Sequence, residues 1–176
     1  VMFDATSGPM IILAVHLCGT LSLKAIDMFN QHPDKVHFFA LKPCCLPPMI
    51  HAQRGDIFTI GSHQFDAHEV CSNGSFTKKD WNGPPRWHLE PKFHTWANHL
   101  FQGIHVGGDG SDTNTSIATT STEDDKTCPS SQRRVVHSSK DGAKELREII
   151  VQVEGGFQNT YIFAERAPLT AKLWGK

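Results

Sequence analysis

The sequence predicts an α/β fold: part of a doubly wound sheet, with a parallel β-α-β unit near the start and an antiparallel hairpin at the C-terminal end. Three observations carry this expectation. Met10-Ile11-Ile12-Leu13-Ala14-Val15 and Val36-His37-Phe38-Phe39-Ala40-Leu41 are apolar runs rich in branched and aromatic residues, as buried strands are. One amphipathic, helix-length segment separates them. Near the end, Glu148–Val153 and Asn159–Ala164 are strand-like runs joined by Glu154-Gly155-Gly156-Phe157-Gln158, a natural hairpin connection.

Taken in order, the first apolar run reads as a strand buried on both faces. Thr20 and Ser22 can cap the helix that follows, and Leu21, Ala25, Met28 and Phe29 share one of its faces. Pro33 and Asp34 end that helix, and the second strand then runs to Pro43. A crossover between parallel strands should be right-handed. Asp56–Ile60 and Gln64–Ala67 flank Gly61-Ser62 and predict a small hairpin insertion at about 51–70. A polar, Trp- and Pro-containing loop follows. Pro91–Phe101 reads as a helix with Pro in its first turn and an apolar stripe of Phe93, Trp96, Ala97 and Leu100. From Gly107 the composition turns to Gly, Ser, Thr, Asp and Asn, which predicts a disordered insert over about 107–135. Asp141–Arg147 reads as a short helix before the terminal hairpin.

With 176 residues, 39% of them hydrophobic, the chain can bury one core, so residues 1–176 are expected to form one partial domain. A formal net charge of -1 excludes binding of polyanions by overall charge and leaves room for a local basic patch. No apolar run approaches a membrane span and no signal-like leader is visible, so a cytoplasmic or nuclear location without membrane attachment is expected. Five cysteines, two of them adjacent, fit a reducing compartment better than a disulfide framework. The chain begins with Val1 rather than Met, which suggests a fragment or a processed product.

Both early strands end in distinctive strings, His16-Leu17-Cys18-Gly19 and Lys42-Pro43-Cys44-Cys45. Neighbouring parallel strands would open these side by side at the carboxyl edge of the sheet, where open α/β sheets bind ligands. The two strings resemble the His-x-Cys-Gly and Pro-Cys-Cys signatures of a group of class I S-adenosylmethionine-dependent methyltransferases. That group includes tRNA 2′-O-methyltransferases. The element order is similar to the C-terminal half of that Rossmann-like domain, whose last hairpin inserts one antiparallel strand into a parallel sheet. The resemblance covers residues 10–45 well and 148–167 loosely. It implies S-adenosylmethionine as cofactor and RNA or tRNA as partner. It also implies a donor-binding Gly-rich turn and an acidic strand end upstream of Val1. Gly107-Gly108-Asp109-Gly110 does not replace them, because it does not sit between a strand and a helix.

Methyl transfer is a displacement on a sulfonium, in which the enzyme aligns donor and acceptor and removes the acceptor's proton. His16 is the candidate base, with holding the strand-end loop as its structural alternative. Cys18 is placed beside it as a catalytic candidate, or as a packing residue. Gly19 would allow the cofactor's close approach or simply a tight turn. Lys42, Pro43, Cys44 and Cys45 would form the adjoining substrate wall. Lys78, Lys79, Trp81, Arg86 and Trp87, with His88, mix positive charge and aromatic rings and could grip phosphates and bases, or anchor a loop. No metal ligand is assigned: C-x2-C spacing is absent and adjacent cysteines seldom share one zinc. A non-catalytic Rossmann-like binding module, or a zinc-stabilised domain, are the alternatives to the enzyme.

Overall fold

A computed structural model describes residues 8–72, 87–107, 114–121, 130–151 and 159–167. In it, β1 (Met10–Cys18) and β2 (Val36–Cys45) pair in parallel, and α1 (Leu21–Gln31) is their crossover. A short helix α2 (Met49–Arg54) leads into the antiparallel hairpin of β3 (Ile57–Ile60) and β4 (His63–Asp66). The single turn α3 (Ala67–Val70) follows, and a 3-10 turn (Trp87–Leu89) opens α4 (Glu90–Gln102). The remaining strands are β5 (Asn114–Ser121), β6 (Ser130–Ser139), β7 (Gly142–Val151) and β8 (Thr160–Arg166).

Among the described residues, six strands make one mixed sheet in the order β1-β2-β8-β7-β6-β5, and β3-β4 stand apart as a second, two-stranded sheet. Strand β8 runs antiparallel to both β2 and β7. Therefore β1, β2 and β7 share one direction, with β8 inserted against them between β2 and β7.

Register assigns the two faces. The pairs Ile12–Phe39 and Ala14–Leu41 lie on the inner face, continued by Ile162, Ala164 and Leu146. This face receives Ile26 and Phe29 of α1 and Phe93, Trp96 and Leu100 of α4, all fully buried. Each such side chain contributes roughly 1.5–3 kcal/mol by leaving water. Phe29 and Phe39 meet ring to ring at 5.4 Å, and Phe58, Phe65 and Trp96 continue the aromatic core beneath the hairpin.

Two buried cations tie helices to this face. Lys144 of β7 donates to the carbonyls of Phe101, Gln102 and Ile104 at 2.8, 3.2 and 2.8 Å, so its charge meets the acceptors at the end of α4. Arg166 of β8 donates to Val36, Phe29 and His105 carbonyls at 2.7, 3.0 and 2.8 Å and lies 3.6 Å over the Phe29 ring. Burial lowers Lys144 to about 8 and Arg166 to about 10.

Four expectations are corrected. Strand β1 is not buried on both faces: Ile11, Leu13 and Val15 are 53%, 70% and 58% exposed on the outer face. Helix α1 buries Leu23, Ala25, Ile26 and Phe29, while Leu21 and Met28 face outward. Residues 142–147, expected as helix, belong to β7, because pairing with β6 and β8 on both sides overrides the helix preference of Ala143–Arg147. Within 107–135, expected to lack order, the described residues 114–121 and 130–135 form β5 and the start of β6, which pair antiparallel, while 108–113 and 122–129 lie outside the described residues. Among the described residues, no helix is long and apolar enough to cross a membrane.

Candidate functional site

The carboxyl ends of β1 and β2 carry both signature strings, and their ladder is irregular there. Val15 pairs with Lys42 and Leu17 with Pro43, so His16 is an extra residue on β1. Leu17–Pro43 is followed by Cys18–Cys45, so Cys44 is an extra residue on β2. Pro43 has no N–H to give the ladder, which suits an irregular strand end. His16 takes a φ of 59°, left-handed backbone that a side-chain-bearing residue seldom adopts.

These bulges change which side chains meet. In a regular strand Cys44 and Cys45 would point to opposite faces. Here Cys18 Sγ lies 3.2 Å from Cys44 Sγ and 3.5 Å from Cys45 Sγ, and Cys44 and Cys45 are 3.6 Å apart. Among the described cysteines none forms a disulfide. The thiols are unequal. Hydrogen bonding with Cys44, then with Cys45, lowers exposed Cys18, whereas burial pushes Cys44 up to about 12. The bulges, rather than the spacing of the cysteines along the chain, set how the three thiols meet.

Gly19 closes the first string with φ 53° and turns the chain into α1. Its carbonyl accepts from the Ser22 backbone N–H at 3.3 Å, and the Ser22 hydroxyl donates to the Leu17 carbonyl at 3.2 Å. A Cβ on Gly19 would meet Pro48 at 3.4 Å, so the turn sits against the segment after β2. Lys42 lies on the outer face with its Nζ 5.1 Å from the Tyr161 ring centre, and Pro43 is buried.

His16, Cys18, Gly19, Lys42, Pro43, Cys44 and Cys45 are thus brought to one end of the sheet. Lys78, Lys79, Trp81 and Arg86 lie outside the described residues. Trp87 opens the 3-10 turn before α4, and its side chain also lies outside the described residues.

A second polar cluster had no sequence signal. His63 Nε2 and His99 Nδ1 are 2.9 Å apart, and His99 Nε2 reaches Glu69 at 3.2 Å. Phe65 stacks on His99 at 4.0 Å. Burial, then the neighbouring His99 and Lys144 charges, lower His63. Residues 63, 69 and 99 come from β4, α3 and α4, so only packing joins them.

No family model, curated protein or solved structure matches this chain.

Proposed function

We propose that this chain is the C-terminal half of a class I S-adenosylmethionine-dependent methyltransferase domain acting on RNA, with tRNA the favoured substrate. The observation that carries the reading is topological. The crossover unit β1-α1-β2 is followed in the sheet by β8, inserted antiparallel between β2 and a co-directional β7. That arrangement is what the resemblance of the His16–Gly19 and Lys42–Cys45 strings leads one to expect of the Rossmann-like domain's second half.

The outer face supports the same reading. A doubly wound sheet carries helices on both faces. Here the described helices pack inward, while Ile11, Leu13 and Val15 of the edge strand stand exposed. Strands and helices bearing the donor-binding Gly-rich turn and acidic strand end would add at this edge and over this face. His16 would take the acceptor's proton, Cys18 would stand beside the reacting centre, and Gly19 would let the donor approach. The Lys42–Cys45 segment would wall the acceptor, and the 78–87 segment would contact RNA.

The test is calorimetric titration of S-adenosylmethionine into the full-length gene product, with transfer of labelled methyl to tRNA. Saturable binding and incorporation are expected, with incorporation lost in His16→Ala while binding persists. A full-length product that neither binds the donor nor labels RNA would leave a non-catalytic binding module as the reading.

A further inference from the structure

We propose that Cys18, Cys44 and Cys45 form a three-thiolate binding site for a thiophilic d10 cation of the Zn2+ or Cu+ class. The inference stands on the thiol geometry and does not require methyl transfer.

The three sulfurs already lie 3.2–3.6 Å from one another. Thiolates on a tetrahedral zinc, each about 2.3 Å from the ion, are separated by roughly 3.8 Å. The cluster therefore needs to open by only a few tenths of an ångström, which small side-chain rotations supply. A disulfide asks for more. Its sulfurs sit about 2.05 Å apart, so Cys18 and Cys44 would have to close by about 1 Å.

The backbone holds the donors in place without a ligand. One bulge sets Cys18 and the other turns Cys44 and Cys45 to the same side. Neutral thiols attract each other weakly, since S–H is a poor donor and sulfur a poor acceptor. A cation at their centre converts the same crowding into three strong bonds. The ligand atoms grouped here are all sulfur, which selects soft zinc or copper over magnesium or calcium. Cys18 is exposed, so the ion would keep a solvent-facing position for a further ligand. Each metal–sulfur bond formed replaces an S–H bond, and up to three protons pass to solvent.

The full chain, purified under reductant and stripped of metal by chelation, would be titrated with Co2+ as the zinc surrogate. In parallel, Cu+ would be delivered against a chromophoric chelator. Thiolate-to-cobalt charge-transfer absorption saturating at one equivalent, or removal of one Cu+ from the chelator, is expected. The two arms separate zinc-type from copper-type selectivity. Cys18→Ser and Cys44→Ser should each weaken binding by about 100-fold or more, since even loss of an outer partner costs 10–100-fold. Cys71→Ser, at a buried thiol outside the cluster, should bind like the parent. Circular dichroism verifies that each variant folds, and exposed Cys18 is the position least coupled to the core. No charge-transfer band and no chelator competition would overturn the proposal. Binding unchanged in folded Cys18→Ser would also overturn it, as would recovery of a Cys18–Cys44 disulfide under reductant.

Discussion

Lys144 Nζ lies 2.8 Å from the Phe101 carbonyl and 4.8 Å from the centre of the same residue's ring, so one buried ammonium both ends α4 and packs on its last aromatic residue. Replacing it with Met removes the charged donor from the carbonyls of residues 101, 102 and 104. Lys144→Met should cost about 2 kcal/mol in urea unfolding at pH 7. Burial lowers the folded group from 10.5 to about 8. Between those values the unfolded chain binds more protons, so this group's contribution to stability rises with pH. The stability difference between the parent and Lys144→Met should therefore widen from pH 8 to pH 10. A difference that narrows over that range would contradict the assignment.

Arg166 joins the end of α1, the start of β2 and the 104–106 segment through three carbonyls. Arg166→Ala should destabilise the protein by on the order of 3 kcal/mol, because several acceptors lose a charged donor at once. Arg166→Lys should recover less than half of that loss. An ammonium lacks the planar fork that spans separated acceptors and stacks on Phe29. Equal unfolding midpoints for Arg166→Lys and the parent would refute this.

Acid should weaken the fold through His63. Its folded pKa is below the ordinary 6.5, with burial the leading cause, and His99 and Lys144 add repulsion that Glu69 partly offsets. A lowered value means the unfolded chain takes up the proton first, so stability is held above pH 6.5 and falls as pH drops through the folded value. His137 is lowered in the same sense. The urea midpoint should fall between pH 7 and pH 5, and His63→Gln should reduce that fall without abolishing it. An unchanged pH dependence in His63→Gln would remove His63 from the account.

Gly142 begins β7 where an added side chain would meet backbone. A Cβ there would collide with the Glu165 carbonyl and lie 2.9 Å from that of Val106. Both obstacles are backbone and cannot rotate away. Gly142→Ala should cost about 3 kcal/mol. Gly8→Ala, with nothing within 4 Å of its new methyl, should stay within about 0.5 kcal/mol of the parent. Thermal unfolding of the two variants side by side decides the matter.

At His16 structural cost and chemistry separate. Its left-handed backbone costs roughly 1 kcal/mol for a residue with a Cβ. His16→Gly should thus leave stability unchanged or raise it by up to about 1 kcal/mol, while removing the imidazole. Under the proposed function, methyl transfer by the full-length protein should fall at the same time. A marked loss of stability would show instead that the ring holds the strand end.

The apolar runs at 10–15 and 36–41 disclosed β1 and β2, and the helix-length segment between them disclosed α1, although the face expected from Leu21, Ala25, Met28 and Phe29 is not the one the fold buries. Their pairing, direction and shared carboxyl edge follow from one short crossover. These features are local, so sequence carries them. Residues 142–147 show the limit: Ala143-Lys144-Glu145-Leu146-Arg147 favours a helix in isolation, but neighbouring strands on both sides supply backbone partners that a helix would forgo.

By itself, the sequence determined that Cys18 and Cys44-Cys45 would end adjacent parallel strands. Only the tertiary structure decided that three sulfurs meet, because bulges at His16 and Cys44 shift side-chain direction in a way no residue spacing encodes. The same holds for the His63–His99 contact and for the carbonyl cages around Lys144 and Arg166. Each joins groups distant along the chain, and their geometry exists only once the helices have packed on the inner face.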